Sequence, residues 1–511
     1  MTEPSSGPPL LAADPGRAER RLHPWSWLFV LVQQLKQFVV PLVALLVLGR
    51  GDRYMLYPLI GVGVLALISV WQYFTYRYRI ADDSLVVRSG VFERSLRQIP
   101  FARIHNVALH QSLLHRLFGV AEVRLESAGG QKPEAQMRVL QLADALALER
   151  LIRHRGVVVA DAQAAQANPE DAAETLLSLP TAEVVRLGLV SNRGMVVVAG
   201  AFALSWQVFP DDVVEDGFRR IGRDVFGYAS QYAGELQLGW AATGVAALAV
   251  VLLAVVVLRA FSVAIALVQF HGFTLQAHGR RLTVERGLLT RLRTSASRRR
   301  IQAWTLEEGL LHRLLRRRGL HVDIAVSEQQ NERRALRELA PIATPGACDA
   351  LVQRLLPRGA AWPPPAWRSL HPHAWLRLWL PGLLLSGLAT AGLTWRFGAL
   401  GLLALAWIPW AAFAARQHAR RAGYARDAHL VAVREGWWSR HWRFAEIDKL
   451  QALQFRQSPL DRRMGMASVW LDTAGAGSMG PPLRVRLLPE AQARELYDSL
   501  SRIVAARPLR W

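Results

Sequence analysis

Long apolar segments alternate with basic segments of mixed composition along the 511-residue chain. A helix of about 20 apolar residues can cross the hydrocarbon core of a bilayer, and the segment 238–258 contains no charged residue. The apolar segments also occur in pairs, which disfavours the alternative of buried core helices in a large soluble protein. We therefore predict a multi-pass α-helical membrane protein with about six spans in three hairpins, at 28–48 with 54–74, 193–209 with 238–258, and 374–394 with 397–415.

Between the predicted hairpins the hydrophobic period is mostly two, which is typical of strands. The segment 84–100 has a Gly turn between two strand-like runs and predicts a β-hairpin. The segment 112–119 instead has leucines at helical spacing, with Ser112 as the predicted N-cap and Gly119 as the predicted C-cap. Amphipathic helices are predicted at 141–155, 347–356 and 489–504. This order predicts α+β domains, each a bent antiparallel sheet or partial barrel followed by one C-terminal helix.

The basic segments are repeats of one another. Placing Gly90, Gly287 and Gly436 at the same position aligns residues 90–128, 287–325 and 436–474 without a gap. The similarity between the first and third copies extends into the preceding membrane region, because 22-LHPWSWL-28 matches 370-LHPHAWL-376. The repeating unit is therefore a membrane hairpin with a soluble domain. Residues identical in all three copies include Arg94, Arg291 and Arg440, Leu114, Leu311 and Leu460, and Arg116, Arg313 and Arg462.

The periodicity and the repeat together divide the chain into nine segments. A disordered polar N-terminus is predicted at 1–27, and a linker at 157–192. A second, Pro-rich linker is predicted at 359–373. The remaining segments are membrane hairpins at 28–75, 193–270 (with an acidic external loop at 210–237) and 374–415, and soluble domains at 76–156, 271–358 and 416–511.

Charge is segregated in the same way as hydropathy. The net charge of +22 coexists with 51% hydrophobic residues because the excess of basic residues lies in the regions 77–155, 271–358 and 416–511. These regions all lie on the same side of three hairpins, and the rule that basic loops stay inside places them, with both termini, in the cytoplasm. The single cysteine, Cys348, excludes an intramolecular disulfide.

The motif 103-RIHNV-107 followed by 111-QSLLHRLFG-119 resembles the bacterial pleckstrin-homology-like domain 2 family, and the three-copy layout resembles its YdbT-type multi-pass members. Unit 2 departs from the motif, since Glu308-Gly309 stands in place of Gln-Ser and Arg316 in place of Gly. The resemblance implies a seven-stranded barrel with a C-terminal helix in each unit, no catalytic residues, and a bacterial inner-membrane location. It also implies a possible partner, another small membrane protein of the same domain family, and a role in envelope stress or antimicrobial resistance.

Basic side chains are the candidate binding residues, because juxtamembrane Lys and Arg are attracted to anionic headgroups by about 1 kcal/mol each. The alternative is that these charges only set the topology and keep the domains soluble, and that the repeated arginines are structural, either capping carbonyls or pairing with Glu126, Asp323 and Asp472. The candidate contacts to anionic lipid or a partner are Arg94, Arg103, Arg116, Arg291, Arg298, Arg299, Arg300, Arg313, Arg316, Arg317, Arg318, Arg440, Lys449 and Arg462.

No nucleophile, phosphate-loop or metalloprotease motif occurs, so we expect no catalytic site, no metal and no cofactor. Nucleic acid is not an expected partner, because basic excess beside membrane spans already accounts for the charge. The sequence therefore favours a non-enzymatic membrane protein whose three domains bind anionic lipid or protein partners. The alternative is a transport or lipid-handling protein whose spans form the pathway.

Overall fold

A computed structural model describes most of the chain. The described residues are 20–21, 23–29, 31–32, 63–64, 67, 70–71, 74–81, 84–89, 95–101, 104–127, 135–158, 174–208, 215–217, 219–220, 223–224, 227, 239–324, 337–357, 359–473 and 481–506. Several features discussed above lie outside these residues. They are the candidate residues Arg94 and Arg103, the acidic residues at 211–212 and most of the predicted first hairpin. The predicted disorder at 1–19 also lies outside them.

In unit 1 the structure describes seven strands and two helices of the soluble domain. The segment 84–100 forms the predicted β-hairpin, since its two strand-like runs are β3 and β4, which pair antiparallel. The strands are β1 (Arg20–Arg21), β2 (Arg77–Ile80), β3 (Ser84–Ser89), β4 (Ser95–Pro100), β5 (Ile104–Gln111), β6 (Val120–Ser127) and β7 (Ala135–Gln141), and the helices are α1 (Leu113–Leu117) and α2 (Leu142–Val158).

Unit 2 repeats this order, with three further helices inserted around its membrane region. Its elements are β8 (Glu174–Ser178), α3 (Thr181–Val190), α4 (Arg193–Val208), α5 (Gly239–Phe270), β9 (Thr274–His278), β10 (Arg281–Arg286), β11 (Arg291–Ser297), β12 (Ile301–Glu308), α6 (Leu310–Leu314), β13 (Arg318–Ile324), β14 (Glu338–Ala343) and α7 (Pro345–Leu355).

Unit 3 has the same seven strands and the same closing helix. Its elements are β15 (Arg368–Ser369), α8 (Ala374–Phe397), a 3-10 segment (Gly398–Ala406), α9 (Trp407–Arg421), β16 (Gly423–Arg426), β17 (Leu430–Glu435), β18 (Arg440–Glu446), β19 (Leu450–Arg456), α10 (Pro459–Arg463), β20 (Met466–Thr473), β21 (Arg484–Pro489) and α11 (Glu490–Ala505).

The first strand of each unit precedes its membrane hairpin. β1 pairs with β2, β8 with β9, and β15 with β16, all antiparallel. The boundaries predicted from sequence are therefore wrong at these points. The tail at 1–27 and the predicted linkers at 157–192 and 359–373 each contain a strand of the unit that follows, because segments of two to five residues are too short to show a period.

The sheets continue from one unit into the next. The two seven-stranded sheets have the orders β7-β6-β5-β11-β10-β9-β8 and β14-β13-β12-β18-β17-β16-β15. Each contains the last three strands of one unit and the first four strands of the next. A four-stranded sheet (β1-β2-β3-β4) and a three-stranded sheet (β19-β20-β21) stand at the two ends. We call the β5–β11 pairing the first junction and the β12–β18 pairing the second junction.

Each unit nevertheless has its own hydrophobic core between its two sheets. In unit 1 Leu85 and Ile99 of the first sheet pack with Leu125 and Met137 of the second and with Ile152 of α2. The cores of units 2 and 3 are built in the same way. Three domains built from antiparallel sheets with C-terminal helices confirm the predicted α+β fold class, whereas the sharing of sheets between units was not predicted.

Two helical stretches among the described residues are long and apolar enough to cross a membrane, Ala247–Phe270 and Ala374–Arg421. The second contains α8, the 3-10 segment and α9, which fold back on each other: Trp379 Nε1 donates to the carbonyl of Ile408 at 3.2 Å. This is the predicted third hairpin. The predicted count of about six spans remains a proposal, because α4 has only 16 residues and the first hairpin is largely outside the described residues.

Candidate functional site

Each unit carries a five-residue helix between its fifth and sixth strands: α1, α6 or α10. Ser112 begins α1 by accepting from His115 N at 3.4 Å, and Gly119 ends it with a φ of +64°. The predicted N-cap is therefore confirmed, whereas the C-cap is Phe118 and Gly119 is the left-handed residue that follows it. In unit 2 Arg316 adopts the same left-handed conformation with a φ of +51°, although an L side chain is disfavoured there. The turn geometry is thus kept where the sequence departs from the motif.

The leucines of these short helices are exposed. Leu117 of α1 is 77% exposed and Leu314 of α6 is 78% exposed. The hairpin turn between β10 and β11 adds exposed Leu288 and Leu289, and the equivalent turn in unit 3 adds Trp438. Exposed apolar side chains in a contiguous group mark an interaction surface.

These helices and turns lie beside the membrane segments. The backbone amide of Leu288 donates to the carbonyl of Val268 near the end of α5, at 2.9 Å. In unit 1 the His115 ring lies 4.2 Å from the ring of Phe29, at the start of the predicted first hairpin. In unit 3 the equivalent pair is ionic, with Arg377 Nε donating to Asp461 Oδ1 at 3.0 Å. The same position in the repeat therefore contacts the entering membrane helix in both units.

The unit 3 turn contacts the departing membrane helix in the same region. The Trp437 ring lies 6.0 Å from that of Trp410 and 5.7 Å from that of Phe413, both in α9. We call the set of short helices and turns the membrane-facing surface, defined by Leu113, Leu114, Leu117, Leu288, Leu289, Leu310, Leu311, Leu314, Trp437, Trp438 and residues 459–463.

Two of the repeated arginines connect one unit to the next. Arg116 Nη1 donates to the carbonyl of Leu288 at 3.0 Å, and Arg313 Nη2 donates to the carbonyl of Trp438 at 3.0 Å. Each bond runs from a short helix to the hairpin turn of the following unit. The third member, Arg462, is exposed. The bond is therefore described at the two places where one unit meets the next.

The arginine run of unit 2 is held by carboxylates and an aromatic ring. Arg317 makes a bidentate pair with Glu183 of α3, at 2.9 Å and 2.7 Å. The hydrogen bonds from Arg317 lower the pKa of Glu183 despite its partial burial. Arg318 Nη1 donates to Asp349 Oδ1 at 3.0 Å, and its guanidinium lies 4.4 Å from the centroid of the Trp442 ring.

The remaining candidates fall into two groups. Four have protein partners: Arg291 pairs with Glu285, Arg298 donates to the carbonyl of Leu356, Arg440 lies 3.9 Å from Glu308, and Lys449 Nζ donates to the carbonyl of Arg299. The side chains of Arg299, Arg316 and Arg462 are exposed, and Arg300 is half-buried and also has an interaction partner. The predicted cluster is therefore divided between inter-element contacts and exposed surface.

The expected pairing of the repeated arginines with Asp323 is wrong for the residues described here. Asp323 Oδ2 accepts from Arg443 Nη2 at 2.5 Å, and Arg443 Nη1 donates to Thr305 Oγ1 at 2.9 Å. Arg443 is only 2% exposed and belongs to the following unit. Sequence reasoning missed this residue. The available signal was that units 1 and 3 both have arginine at this aligned position, Arg97 and Arg443.

A half-buried ionic cluster joins α4 and α5 to the strands of unit 2. Glu338 of β14 accepts from Arg193 and Arg286 at 2.6 Å each, and both guanidiniums lie 4.5 Å from the centroid of the Phe270 ring. Burial by itself would raise the pKa of Glu338, but the two guanidiniums outweigh it and the pKa is lowered. The cluster therefore connects the start of α4, the end of α5 and two strands.

The described residues contain no group of three or more His, Cys, Asp or Glu side chains able to hold a metal ion. Cys348 is buried, and burial raises the pKa of its thiol to about 12. A thiolate is the reactive form of cysteine, so this thiol is unreactive. The polar groups described above bind the protein to itself and to its membrane helices.

Comparison with known proteins is consistent with this architecture. The chain is 23% identical over 318 residues to the UPF0699 transmembrane protein YdbT of Bacillus subtilis (strain 168), and the match covers 58% of this chain and 60% of that protein. No solved structure matches the chain significantly. The model of the bacterial PH domain family matches three times, at residues 28–156, 233–343 and 376–504. The chain therefore belongs to the bacterial PH domain family and carries three copies of that domain.

Proposed function

We propose that this chain is a non-enzymatic protein of the bacterial inner membrane whose three PH-like domains, on the cytoplasmic side, bind anionic lipid at the membrane-facing surface. The observation that carries the proposal is the position of that surface. Its exposed leucines lie beside the ends of the membrane helices, where apolar side chains can enter the headgroup region.

Exposed arginines lie next to these leucines. Arg316 lies two residues after the end of α6, and Arg462 belongs to α10. In unit 3, Arg463 occupies the aligned position of Leu117 and Leu314. A surface that combines apolar insertion with cationic charge binds anionic bilayers more strongly than neutral ones. Each exposed arginine near the headgroups contributes about 1 kcal/mol to that preference.

The proposal is tested with the full chain, because unit 2 shares sheets with both neighbours and is not expected to fold alone. The chain is reconstituted in nanodiscs of phosphatidylcholine, with and without phosphatidylglycerol. Amide hydrogen exchange is then measured across α1, α6 and α10. We expect stronger protection with phosphatidylglycerol, and we expect the difference to disappear at about 1 M salt, where the Debye length is about 3 Å.

Matched variants distinguish the surface from general effects of the bilayer. Leu314→Ser with Arg316→Ser should abolish the dependence on phosphatidylglycerol in α6 and leave it in α1. Ile503→Ser, at an exposed position on α11, is the control and should change neither. Equal protection in neutral and anionic nanodiscs would contradict lipid-headgroup binding and favour protein partners.

A further inference from the structure

The two junctions between units have the same strand register. Gln111 of β5 lies opposite Arg291 of β11, and Glu308 of β12 lies opposite Arg440 of β18. These pairs occupy identical positions in the gapless alignment of the three units. One strand pairing, between the fifth strand of one unit and the fourth strand of the next, therefore occurs twice in this chain.

The chain has one unused copy of each of these strands. Among the described residues, β4 has only β3 as a strand neighbour, and β19 has only β20. β4 is the fourth strand of unit 1 and β19 is the fifth strand of unit 3, and they stand at the edges of different sheets. The two end strands are thus the two halves of the same repeated junction.

Burial differs between the strands that pair in the second junction, β12 and β18, and the edge strands β19 and β4. Thr305 in the middle of β12 is buried in the second junction, whereas the equivalent Gln454 of β19 is exposed. In β18 Arg443 is buried, whereas the equivalent Arg97 of β4 is exposed. Leu96, also in β4, is 70% exposed. Open sheet edges with exposed apolar residues are sites for pairing with another chain.

The chemistry of the two open edges is complementary. In the second junction Arg443 bonds to Thr305 and Asp323. The alignment places Arg97 at the position of Arg443, and Asp472 at the position of Asp323. Asp472 is exposed in β20, the strand beside β19. A cation on one open edge therefore faces an anion beside the other when the register of the junctions is applied.

We propose that β4 of one copy of this chain pairs antiparallel with β19 of a second copy, in the register of the two internal junctions. Leu96 then lies opposite Phe455, and Arg97 lies opposite Gln454 and reaches Asp472. This contact uses different surfaces on the two partners, so it produces either a closed ring or an open row of chains. Membrane anchoring keeps all copies in one plane, which favours the encounter.

Disulfide cross-linking of the full chain in native membranes tests the register. Directly opposite residues in an antiparallel pair have Cα atoms about 4.5–5.5 Å apart, which suits a disulfide. Chains with Leu96→Cys and chains with Phe455→Cys are produced together with different tags and oxidised. We expect a disulfide-linked dimer containing both tags. Buried Cys348, with its thiol pKa raised to about 12, does not compete.

The matched control pairs Leu96→Cys with Gln454→Cys, which lies one residue out of register and points to the other face of the strand. Its cross-linking should be at least about tenfold weaker. Equal yields from the two combinations, or no mixed dimer from Leu96→Cys with Phe455→Cys, would overturn the proposal.

Charge reversal tests the same contact without cysteines. Arg97→Glu or Asp472→Arg alone should raise the dimer dissociation constant at least about tenfold, because each leaves like charges facing one another. The two reversals in one chain should restore association, which a folding defect would not do. Mass measurement in nanodiscs detects the change. Failure of the double reversal to restore the dimer counts against the Arg97–Asp472 contact. None of these variants should change the lipid-dependent protection of α1 and α6, so the two proposals can fail separately.

Discussion

The first and second junctions share their backbone register but differ in what fills them. In the second junction Phe444 is fully buried and its ring lies 4.0 Å from that of Trp362 and 6.1 Å from that of Trp304. The aligned residue in the first junction is Ser295, which is buried without such stacking. The core of unit 2 accordingly continues into unit 3 through Ala432 and Phe444.

The polar side-chain contacts of the two junctions also differ, and they too are tighter in the second junction. The second junction buries Arg443 between Thr305 and Asp323. In the first junction Thr294 stands at that position, and Arg293 lies 3.9 Å from Glu149. The same register therefore occurs with different side chains in the two junctions. Side chains then determine how strongly each junction is held.

The largest expected effect is on the aromatic contact. Phe444→Ala should lower the free energy for opening the β12–β18 pairing by about 3–5 kcal/mol, the usual cost of removing a buried aromatic side chain. Hydrogen exchange of β12 and β18 amides measures it. Ser295→Ala, at the aligned position of the first junction, is the control and should change opening there by less than about 1 kcal/mol. Equal losses at both sites would erase the distinction between the junctions.

Removal of the buried cation should have the next largest effect. Arg443→Met leaves Asp323 without its partner and should destabilise the second junction by about 2–4 kcal/mol. Adding Asp323→Asn should recover part of this loss, because the uncompensated carboxylate is removed. Thermal unfolding of the full chain measures both. Additive losses in the double variant would contradict a direct ion pair.

The repeated arginine at the short helices gives a matched series of smaller effects. Arg116→Met and Arg313→Met should each cost about 0.5–1.5 kcal/mol, because each removes a hydrogen bond to the next unit. Arg462→Met should cost almost nothing in stability, because the Arg462 side chain is exposed. Hydrogen exchange in the turns at 288–290 and 437–439 reports the first two losses. A loss of the same size for Arg462→Met would mean that the arginine stabilises its own unit.

The smallest effect is a dependence on pH that only the second junction should have. Burial raises the pKa of Glu446 above its usual value of 4.5, and Lys449 and Arg298 only partly oppose it. Ionised Glu446 therefore disfavours the folded state once the pH rises through the folded pKa. Glu446→Gln should stabilise the protein at pH 7 by less than about 1 kcal/mol, and this gain should disappear below about pH 4.5. Melting temperatures across that range measure it, with Ser297→Ala at the aligned position of unit 2 as the control.

Much of the architecture was predictable from local patterns. Alternation of apolar residues indicated the strands, and helical spacing between Ser112 and Gly119 indicated the short capped helix. The exposure of Leu117 and Leu314 was not predictable, because helical spacing alone suggests a buried face. Whether a short amphipathic helix buries this face depends on how it packs against the strands and the next unit, which only the tertiary structure shows.

The partners of the candidate arginines could not be predicted from the sequence. The clustered arginines were predicted to contact anionic lipid or a partner, whereas Arg317 and Arg318 are held by Glu183 and Asp349 of the same chain, which no spacing rule connects to them. Arg443 was overlooked because it stands alone between His441-Trp442 and Phe444 rather than in a basic run. Its role depends on a strand of another unit.

The sequence by itself determined that the chain repeats a membrane-associated unit three times, because aligned glycines, leucines and arginines recur and apolar runs of membrane length lie beside them. Tertiary structure alone decided that neighbouring units share their sheets. The physical reason is that a period of two specifies which face of a strand is buried but leaves both of its backbone edges equivalent. Which edge pairs with which partner depends on how whole units pack, and that packing leaves β4 and β19 as the open ends.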